Sequence, residues 1–428
     1  KGSEIKLAVL VKEGKLSVEN FPTVESKDKT EKLANALLKT EGGADKLADL
    51  VIKGKLLVEN FPTLNGISVN KISAFAQALL DKDGADKLAD LVLADKLKMA
   101  QAQIEQFTDA LFAADGAVKL AALVIKDKLL KDNFPTLIRI SVDKVSAFTN
   151  ALLEQNTAGI ECLTAFARRD LLPKLLFVRG EAKAFAQALL KQNTAGIKCL
   201  TEFAYGDLLP KPLFVEEEAK TFANAMLEQN TAGIKCLTAF ARKGLLPKPL
   251  FIKGEAKAFT NALLEQNGIE CLTEFARKGL LPKPFPFIKG EAKTFTNDLL
   301  KRNTAGIECL TAFAYGGLLP NPLFVEGEFI KEEAKTFTND LLKQNTAGIK
   351  CLIEFARKGL LPNPLFVRGE AKAFAQALLK QNGIECLIEF ACQGLLPDLP
   401  LKGGKTRDDL IKRSKLDAVQ LREIIDLD

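Results

Sequence analysis

The side chains best suited to bind a partner recur at one place in a repeated segment of this chain. Each copy carries a Phe-Ala pair, which an Arg or Tyr follows in most copies, and several copies add a second Arg or a Lys. Groups of this kind bind phosphates and serve as hot spots in protein interfaces. The candidate binding residues are Arg168, Arg169, Tyr205, Arg242, Lys243, Arg277, Lys278, Tyr315, Arg357 and Lys358. If the copies stack, these residues form a row, which we call the basic ribbon. The alternative is a set of exposed helix ends, where cations interact favourably with the helix dipole.

A cysteine also recurs once per copy. The chain has 8 cysteines and no histidine, and it contains no C-x-x-C pair. Because zinc sites are normally built from such pairs or from histidine, we predict no metal site and no cofactor. Cysteines on neighbouring packed helices would lie about 10 Å apart, which is beyond disulfide reach. The equivalent cysteines are Cys162, Cys199, Cys236, Cys271, Cys309, Cys351 and Cys386. We interpret them as small buried apolar residues, and unpaired thiols in this number favour a reducing, intracellular compartment, cytoplasmic or organellar.

Side chains that commonly catalyse reactions are scarce in the repeats. Without histidine the commonest general base is missing, and no serine lies between Ser146 and Ser414. No single copy carries a polar cluster that the other copies lack, whereas an active site normally breaks local regularity. We therefore predict that the protein is not an enzyme, with no catalytic residues and no small-molecule substrate.

The elements that must position these side chains follow a period of about 37 residues. The phenylalanine that heads each copy recurs at spacings of 37, 37, 37, 36, 42 and 37 residues. These residues are Phe148, Phe185, Phe222, Phe259, Phe295, Phe337 and Phe374. In one copy, residues 181–192 have apolar residues three and four apart, and a second such stretch follows Asn193. The pattern predicts two helices per copy, with Asn193 as a left-handed C-cap and Thr194 as the N-cap of the second helix.

Two helices of this length cannot bury their apolar faces alone, so neighbouring copies must complete the core. The sequence therefore predicts an all-α fold, a right-handed α-solenoid of about ten two-helix repeats whose Leu-Leu-Pro connectors tuck under the next repeat. Residues 1–147 hold diverged N-terminal helical repeats, residues 148–397 near-identical repeats, and residues 398–428 C-terminal capping helices. Because the chain opens at Lys1 without a methionine, we expect a fragment or a processed form.

The overall composition is that of a folded protein with a mixed surface. The 428 residues include 60 basic and 54 acidic side chains, a net charge of +6, and 47% are hydrophobic. The sequence pI of about 8.7 falls short of the strongly basic footprint of many nucleic-acid-binding domains. No apolar run is long enough to predict a membrane span.

The loop between the two helices, and the segment that follows, resemble the TAL-effector-like DNA-binding repeats. Residues 193–196 are Asn-Thr-Ala-Gly and residues 208–210 are Leu-Leu-Pro, in the order of that family's inter-helix loop and its Leu-Leu-Pro. The resemblance implies a helical repeat whose loop residues face bases in a major groove. The loop residues concerned are Asn156, Thr157, Asn193, Thr194, Asn230, Thr231, Asn303, Thr304, Asn345 and Thr346.

Three functional hypotheses follow. The first is a non-enzymatic scaffold that binds a protein partner along a surface built from equivalent positions, as helical arrays commonly do. The second is a nucleic-acid-binding array that uses the Asn-Thr-Ala-Gly loops or the basic ribbon. The third is a purely structural role in a larger assembly.

Overall fold

The protein is all-α. The computed structural model describes residues 3–64, 67–98, 100–129, 134–174, 176–287, 290–324 and 330–396. Over these ranges it contains twenty-one α-helices and two short 3₁₀ turns, and the only extended pairing is an isolated bridge between Val24 and Leu56. The predicted helical fold is confirmed, whereas the capping helices predicted at 398–428 lie outside the described residues.

The helices belong to two compact units, which divide between Pro210 and Lys211. The first unit contains α1 (Ser3–Lys12), α2 (Lys27–Lys39), α3 (Gly43–Ile52), α4 (Val69–Asp81), α5 (Ala85–Leu93), α6 (Ile104–Ala113), α7 (Ala117–Ile125), α8 (Val142–Leu153), α9 (Asn156–Arg168), α10 (Arg179–Leu190) and α11 (Asn193–Tyr205). The second unit contains α12 (Glu216–Glu228), α13 (Asn230–Lys243), α14 (Lys253–Glu265), α15 (Ile269–Lys278), α16 (Glu291–Leu300), α17 (Asn303–Gly316), α18 (Ile330–Leu342), α19 (Asn345–Arg357), α20 (Arg368–Lys380) and α21 (Ile384–Cys392).

After α1 the helices alternate as pairs. Each even-numbered helix, which we call a first helix, packs against the odd-numbered helix that follows it, which we call a second helix. This packing of consecutive helices is compatible with a helical repeat. Helices of nine to fourteen residues are marginal in isolation, so their stability must come from the shared core.

In each hairpin of the second unit, phenylalanine rings from the connector, the first helix and the second helix form the centre of the core. Phe214 from the connector lies 4.8 Å from Phe222 on α12, and Phe222 lies 4.7 Å from Phe240 on α13. The next pair repeats the arrangement around Phe259, with ring distances of 4.5 and 5.0 Å. Tilted rings at these separations are favourable beyond their burial alone. The cluster therefore joins the connector and both helices into one hairpin.

The corner of the hairpin is tight because of two residue types. Asn303 has a φ of +56°, in the left-handed region, as predicted for the equivalent Asn193, which has a φ of +55°. Three residues later, a Cβ on Gly306 would lie 1.9 Å from the backbone oxygen of Leu299, so only glycine fits there. The predicted N-cap at Thr194 is wrong. The single left-handed residue turns the chain so sharply that α11 already begins at Asn193, and no side chain caps it.

Successive connectors are joined by backbone hydrogen bonds, in agreement with the expected tucking. In the second unit Leu250 N–H donates to the carbonyl of Leu280 at 2.9 Å, and Leu365 N–H donates to that of Leu395 at 3.3 Å. In the first unit Leu137 N–H donates to the Leu171 carbonyl at 2.7 Å. The connectors thus contribute a line of contacts beside the helices.

The second helices pack more closely against one another than the first helices do. In the second unit, α13, α15, α17, α19 and α21 pack directly against one another, whereas successive first helices touch much less. The contacts between second helices are made by small residues such as Cys271 and Cys309, which are fully buried. Small side chains allow helix axes to approach closely. The first helices are consequently separated by grooves.

We expect Gly306→Ala to destabilise the protein by about 3 kcal/mol, since relieving the overlap with Leu299 requires the two helices to move apart. Gly254→Ala is the matched control, because a Cβ there meets no atom within 4 Å. It should be neutral or stabilising by up to about 1 kcal/mol, from helix propensity. Urea denaturation followed by circular dichroism measures both, and equal effects would contradict the proposed packing role of the corner glycine.

Candidate interaction surfaces

The basic ribbon lies at the ends of the second helices, where its arginines form ion pairs with the next repeat. In the first unit, Arg168 Nη2 lies 2.8 Å from Glu202 Oε1. In the second unit, Arg357 contacts Glu385 at 2.8 Å and Glu389 at 3.0 Å. The hydrogen bond to Glu389 is the largest cause of a raised pKa at Arg357. Arg168 and Arg357 are therefore each paired with a carboxylate of the next repeat while they stay exposed.

Arg242 extends this pattern, which we call the second-helix ladder. Its guanidinium lies 2.6 Å from Glu270 and 3.3 Å from Glu274, and Arg277 lies 3.6 Å from the same Glu274. The side chain of Glu274 is only 10% exposed. A buried carboxylate needs such partners. Glu274 therefore depends on arginines from two successive second helices.

The other ribbon residues lie beside the ladder. Tyr205 and Tyr315 are exposed, and the Lys358 ammonium lies 5.5 Å from the centre of the Tyr315 ring. Arg169 is exposed, whereas Lys243 and Lys278 are half-buried. Several second helices end on these cations, including α13 at Lys243, which fits the interpretation of basic residues at helix C-termini.

The Asn-Thr corners are exposed in both units. Asn156 and Asn193 lie in the first unit, and the other three lie in the second, each with a threonine beside it. The row in the second unit is interrupted, because α15 and α21 begin after Asn-Gly corners that carry no threonine. One turn further along α17 the exposed residue is Glu308, and along α19 it is Lys350. The corners are accessible, but their surroundings alternate in charge.

A second set of ion pairs joins successive first helices in the second unit, and we call it the first-helix ladder. A lysine in the first or second turn of one helix contacts a glutamate near the start of the next. The pairs are Lys220–Glu255 (3.3 Å), Lys257–Glu291 (2.6 Å), Lys293–Glu333 (2.5 Å) and Lys335–Glu370 (2.7 Å). The Glu-Ala-Lys motif in these copies contains the lysine and glutamate that form the ladder. The motif alone does not predict whether a lysine pairs within its own repeat or with the next repeat.

Lys220 shows how strongly one of these lysines can be enclosed. It is 8% exposed, and its ammonium contacts Glu216, Glu217 and Glu255. The hydrogen bond to Glu217 is the largest cause of a raised pKa at Lys220. The lysine is therefore fixed as a cation between α12 and α14.

Grooves lie between successive first helices, each beside one pair of this ladder. Their volumes are about 250 Å³ between α14 and α16, about 710 Å³ between α16 and α18, and about 330 Å³ between α18 and α20. Phenylalanines of the connectors and first helices line them. These rings are Phe285, Phe287 and Phe295 in the first groove, Phe324 and Phe337 in the second, and Phe366 and Phe374 in the third. The grooves could not be predicted from the sequence, because they depend on the spacing between helices.

An asparagine on the first helix of each repeat lines its groove at an equivalent position. These residues are Asn261, Asn297 and Asn339. All three are exposed, and each comes two residues after the phenylalanine that heads its copy. They offer a matched site in each groove for testing which groove a partner enters.

The repeated cysteines are buried, as predicted, and form no disulfide. The hydroxyl of Thr164 on α9 lies within hydrogen-bonding reach of Cys199, and Thr273 does the same for Cys309. Because Thr164 donates its own proton to the Ile160 carbonyl at 2.7 Å, its oxygen can accept from the thiol. Among the described residues no cluster of three His, Cys, Asp or Glu side chains could hold a metal ion.

Comparison with known proteins adds no identity. No family model, no curated protein and no solved structure matches this chain. Within the described ranges no helix is both long enough and apolar enough to cross a membrane.

We expect the repeated thiols to resist alkylation in the native protein. Burial raises the pKa of Cys199, Cys271, Cys309 and Cys351 to about 12, and the thiolate is the reactive form. Treatment with N-ethylmaleimide at pH 8 should modify at most Cys392, which is only partly buried. In urea all 8 cysteines should react. Rapid native modification at the repeated positions, seen by peptide mass spectrometry, would contradict the burial of this layer.

The first-helix ladder should make stability depend on acid pH. The hydrogen bond from Lys335, with a second from the Val367 N–H, lowers the pKa of Glu370 below its usual 4.5. A depressed carboxyl pKa contributes stability that is present above the unfolded pKa and is lost as pH falls through the folded pKa. We expect Glu370→Gln to be less stable than wild type at pH 7, with the difference shrinking below pH 4.5. The test measures the urea denaturation midpoints of wild type and Glu370→Gln at several pH values. Glu308→Gln on α17 is the control, and a difference in stability that stays constant with pH would contradict the prediction.

Proposed function

We propose that this chain is a non-enzymatic repeat protein, a right-handed α-solenoid of about ten two-helix repeats, which binds a protein partner along the first helices of its second unit. The observation that carries the proposal is the series of grooves floored by phenylalanine rings between α14 and α20. Apolar pockets with a polar rim are the usual place for the anchor residues of a protein partner. Solenoid arrays commonly bind partners through surfaces of this repeated kind.

The charge distribution supports a protein partner over a nucleic acid. A polyanion requires cations that are free to replace its counterions. Arg242 and Arg357 instead contact carboxylates of the next repeat. Beside the grooves, Lys257 and Lys293 contact Glu291 and Glu333.

The nucleic-acid alternative has one favourable observation. The Asn-Thr corners are exposed at equivalent ends of their hairpins, as the resemblance to TAL-effector-like repeats requires. Their closest acidic neighbours, such as Glu308, would face the same ligand and weaken its binding.

We also propose a reducing, intracellular compartment. Seven of the cysteines are buried and form no disulfide, whereas proteins of oxidising compartments more often pair their cysteines in disulfides.

Binding to a displayed random dodecapeptide library and to oligonucleotides tests the choice of partner. We expect the full chain to select peptides, and arginine substitution at a groove position to block them through bulk and charge. The variants are Asn261→Arg, Asn297→Arg and Asn339→Arg, one for each groove. Glu308→Arg, which adds the same side chain to a second helix, should leave peptide binding unchanged.

Nucleic-acid binding is tested by fluorescence anisotropy with single-stranded DNA, duplex DNA and RNA of 20 nucleotides. We expect no binding in 50 mM salt. Tight binding that falls steeply between 50 and 200 mM salt would favour the nucleic-acid array and overturn the proposal. Selected peptides that bind all three groove variants as well as wild type would also overturn it.

A further inference from the structure

The groove between α14 and α16 differs from its neighbours in the segment that forms its floor. The preceding connector reads Pro-Leu-Phe-Ile at residues 249–252, whereas here residues 284–288 read Pro-Phe-Pro-Phe-Ile. The segment has one extra residue and brings two rings to the groove, Phe285 and Phe287, with centroids 4.7 Å apart. Phe287 is also 5.2 Å from Phe295 on α16. Three aromatic rings thus line one small recess.

A buried hydroxyl in the same groove has no hydrogen-bond partner. Thr260 on α14 is 1% exposed and lines the groove, yet its Oγ1 atom makes no hydrogen bond. Equivalent threonines are satisfied within their own helices. Thr296 donates to the Lys293 carbonyl at 2.9 Å, and Thr338 donates to the Ala334 carbonyl at 2.7 Å. An unpaired buried hydroxyl is costly, so its presence in a groove indicates a role for a ligand group.

The size of the recess limits what can occupy it. Its volume of about 250 Å³ lies below the range of about 300–1,000 Å³ that is usual for whole small-molecule ligands. A recess of this size lined by aromatic rings suits a single bulky apolar side chain, as at the hot spots of protein interfaces. Burying such a side chain against the rings is favourable in proportion to the apolar area removed from water.

The charges at the rim argue against an anionic occupant. Glu291 and Asp298 both line the groove, and the one lysine there, Lys257, contacts Glu291 at 2.6 Å. Asp298 is itself paired with Lys301 at 3.3 Å, so a phosphate would meet repulsion from carboxylates that already hold the nearby lysines. A peptide, which is neutral along its backbone and carries both donors and acceptors, meets no such repulsion.

We infer that the groove between α14 and α16 is the anchor site for a partner protein, which packs one bulky apolar side chain against Phe287 and Phe295 and forms a hydrogen bond with Thr260. This inference rests on the proposed function and assigns its main contact to one groove. The partner segment carries a leucine-, methionine- or phenylalanine-like residue, and a backbone group beside it reaches the Thr260 hydroxyl.

The test uses peptides selected from the dodecapeptide library on the full chain, with affinities measured by fluorescence polarisation. We expect selected peptides to share one bulky apolar residue. Thr260→Val should weaken their binding about 2- to 10-fold, the usual effect of one hydrogen bond. Phe287→Ala should weaken it about 10-fold or more, as for a hot-spot pocket.

Matched variants separate the hydroxyl's role in binding from a role in folding. Thr260→Ser should restore wild-type affinity, and Thr296→Val, at the equivalent position on α16, should leave it unchanged. In the free protein, Thr260→Val should raise the urea midpoint, because it removes an unpaired buried hydroxyl, whereas Thr296→Val removes a satisfied one and should not.

Three results would overturn the inference. If peptides bind Thr260→Val as tightly as wild type, or if Asn297→Arg or Asn339→Arg blocks them and Asn261→Arg does not, the scaffold function survives and the anchor site is wrong. If the library yields no peptide at all while oligonucleotides bind, the anchor site and the proposed function both fail.

Discussion

The structure depends on the packing of a connector and two short helices around a shared set of phenylalanine rings. None of the helices is long enough to be stable alone, and in the hairpin of α12 and α13 the rings of Phe214, Phe222 and Phe240 lie within 4.8 Å of their nearest neighbour. The corner glycine allows this contact, since at Gly306 even a methyl group would overlap the Leu299 carbonyl. Core and corner constrain each other, because the rings meet only when the helices approach closely and the helices approach closely only without a Cβ at the corner.

This hairpin geometry explains why the two helix layers differ. The second helices meet through cysteine, alanine and threonine, and their thiols and hydroxyls satisfy one another, as at Thr273 and Cys309. The connector fills the space beside the first helices, so those helices cannot approach each other as closely. Lysine–glutamate pairs such as Lys335–Glu370, with both side chains partly exposed, bridge the remaining distance. Exposed ion pairs contribute little stability individually, so the ladder serves mainly to hold the register of helices whose cohesion comes from the aromatic core.

Much of the fold could be predicted from the sequence, but little of the candidate site. The period of phenylalanines and the three- and four-residue spacing predicted the paired helices, and Asn193 was correctly placed in the left-handed region. These features depend on residues close together along the chain. The pairing of Arg357 with Glu385 and Glu389, and the burial of Glu274, depend on which positions of successive repeats meet. Periodicity alone does not specify that offset, and for the same reason it could not reveal the grooves. The N-cap predicted at Thr194 failed because α11 already begins at Asn193, which has a positive φ, so that Thr194 lies within the helix.

Some parts of the repeat tolerate substitution without loss of the fold, and other parts do not. The corner, the aromatic core and the second-helix contacts each tolerate little change, since a residue there touches backbone or closely packed side chains. The connector just before a first helix is different, because one of its sides faces the groove. There the segment around Pro286 departs from its neighbours and adds a ring, Phe285, which lies 5.7 Å from Phe313, while Phe287 keeps the usual connector position eight residues before Phe295. One repeat can thus acquire a distinct recess while its hairpin stays unchanged. In an array of near-identical copies, this is the position from which specificity for a partner can arise.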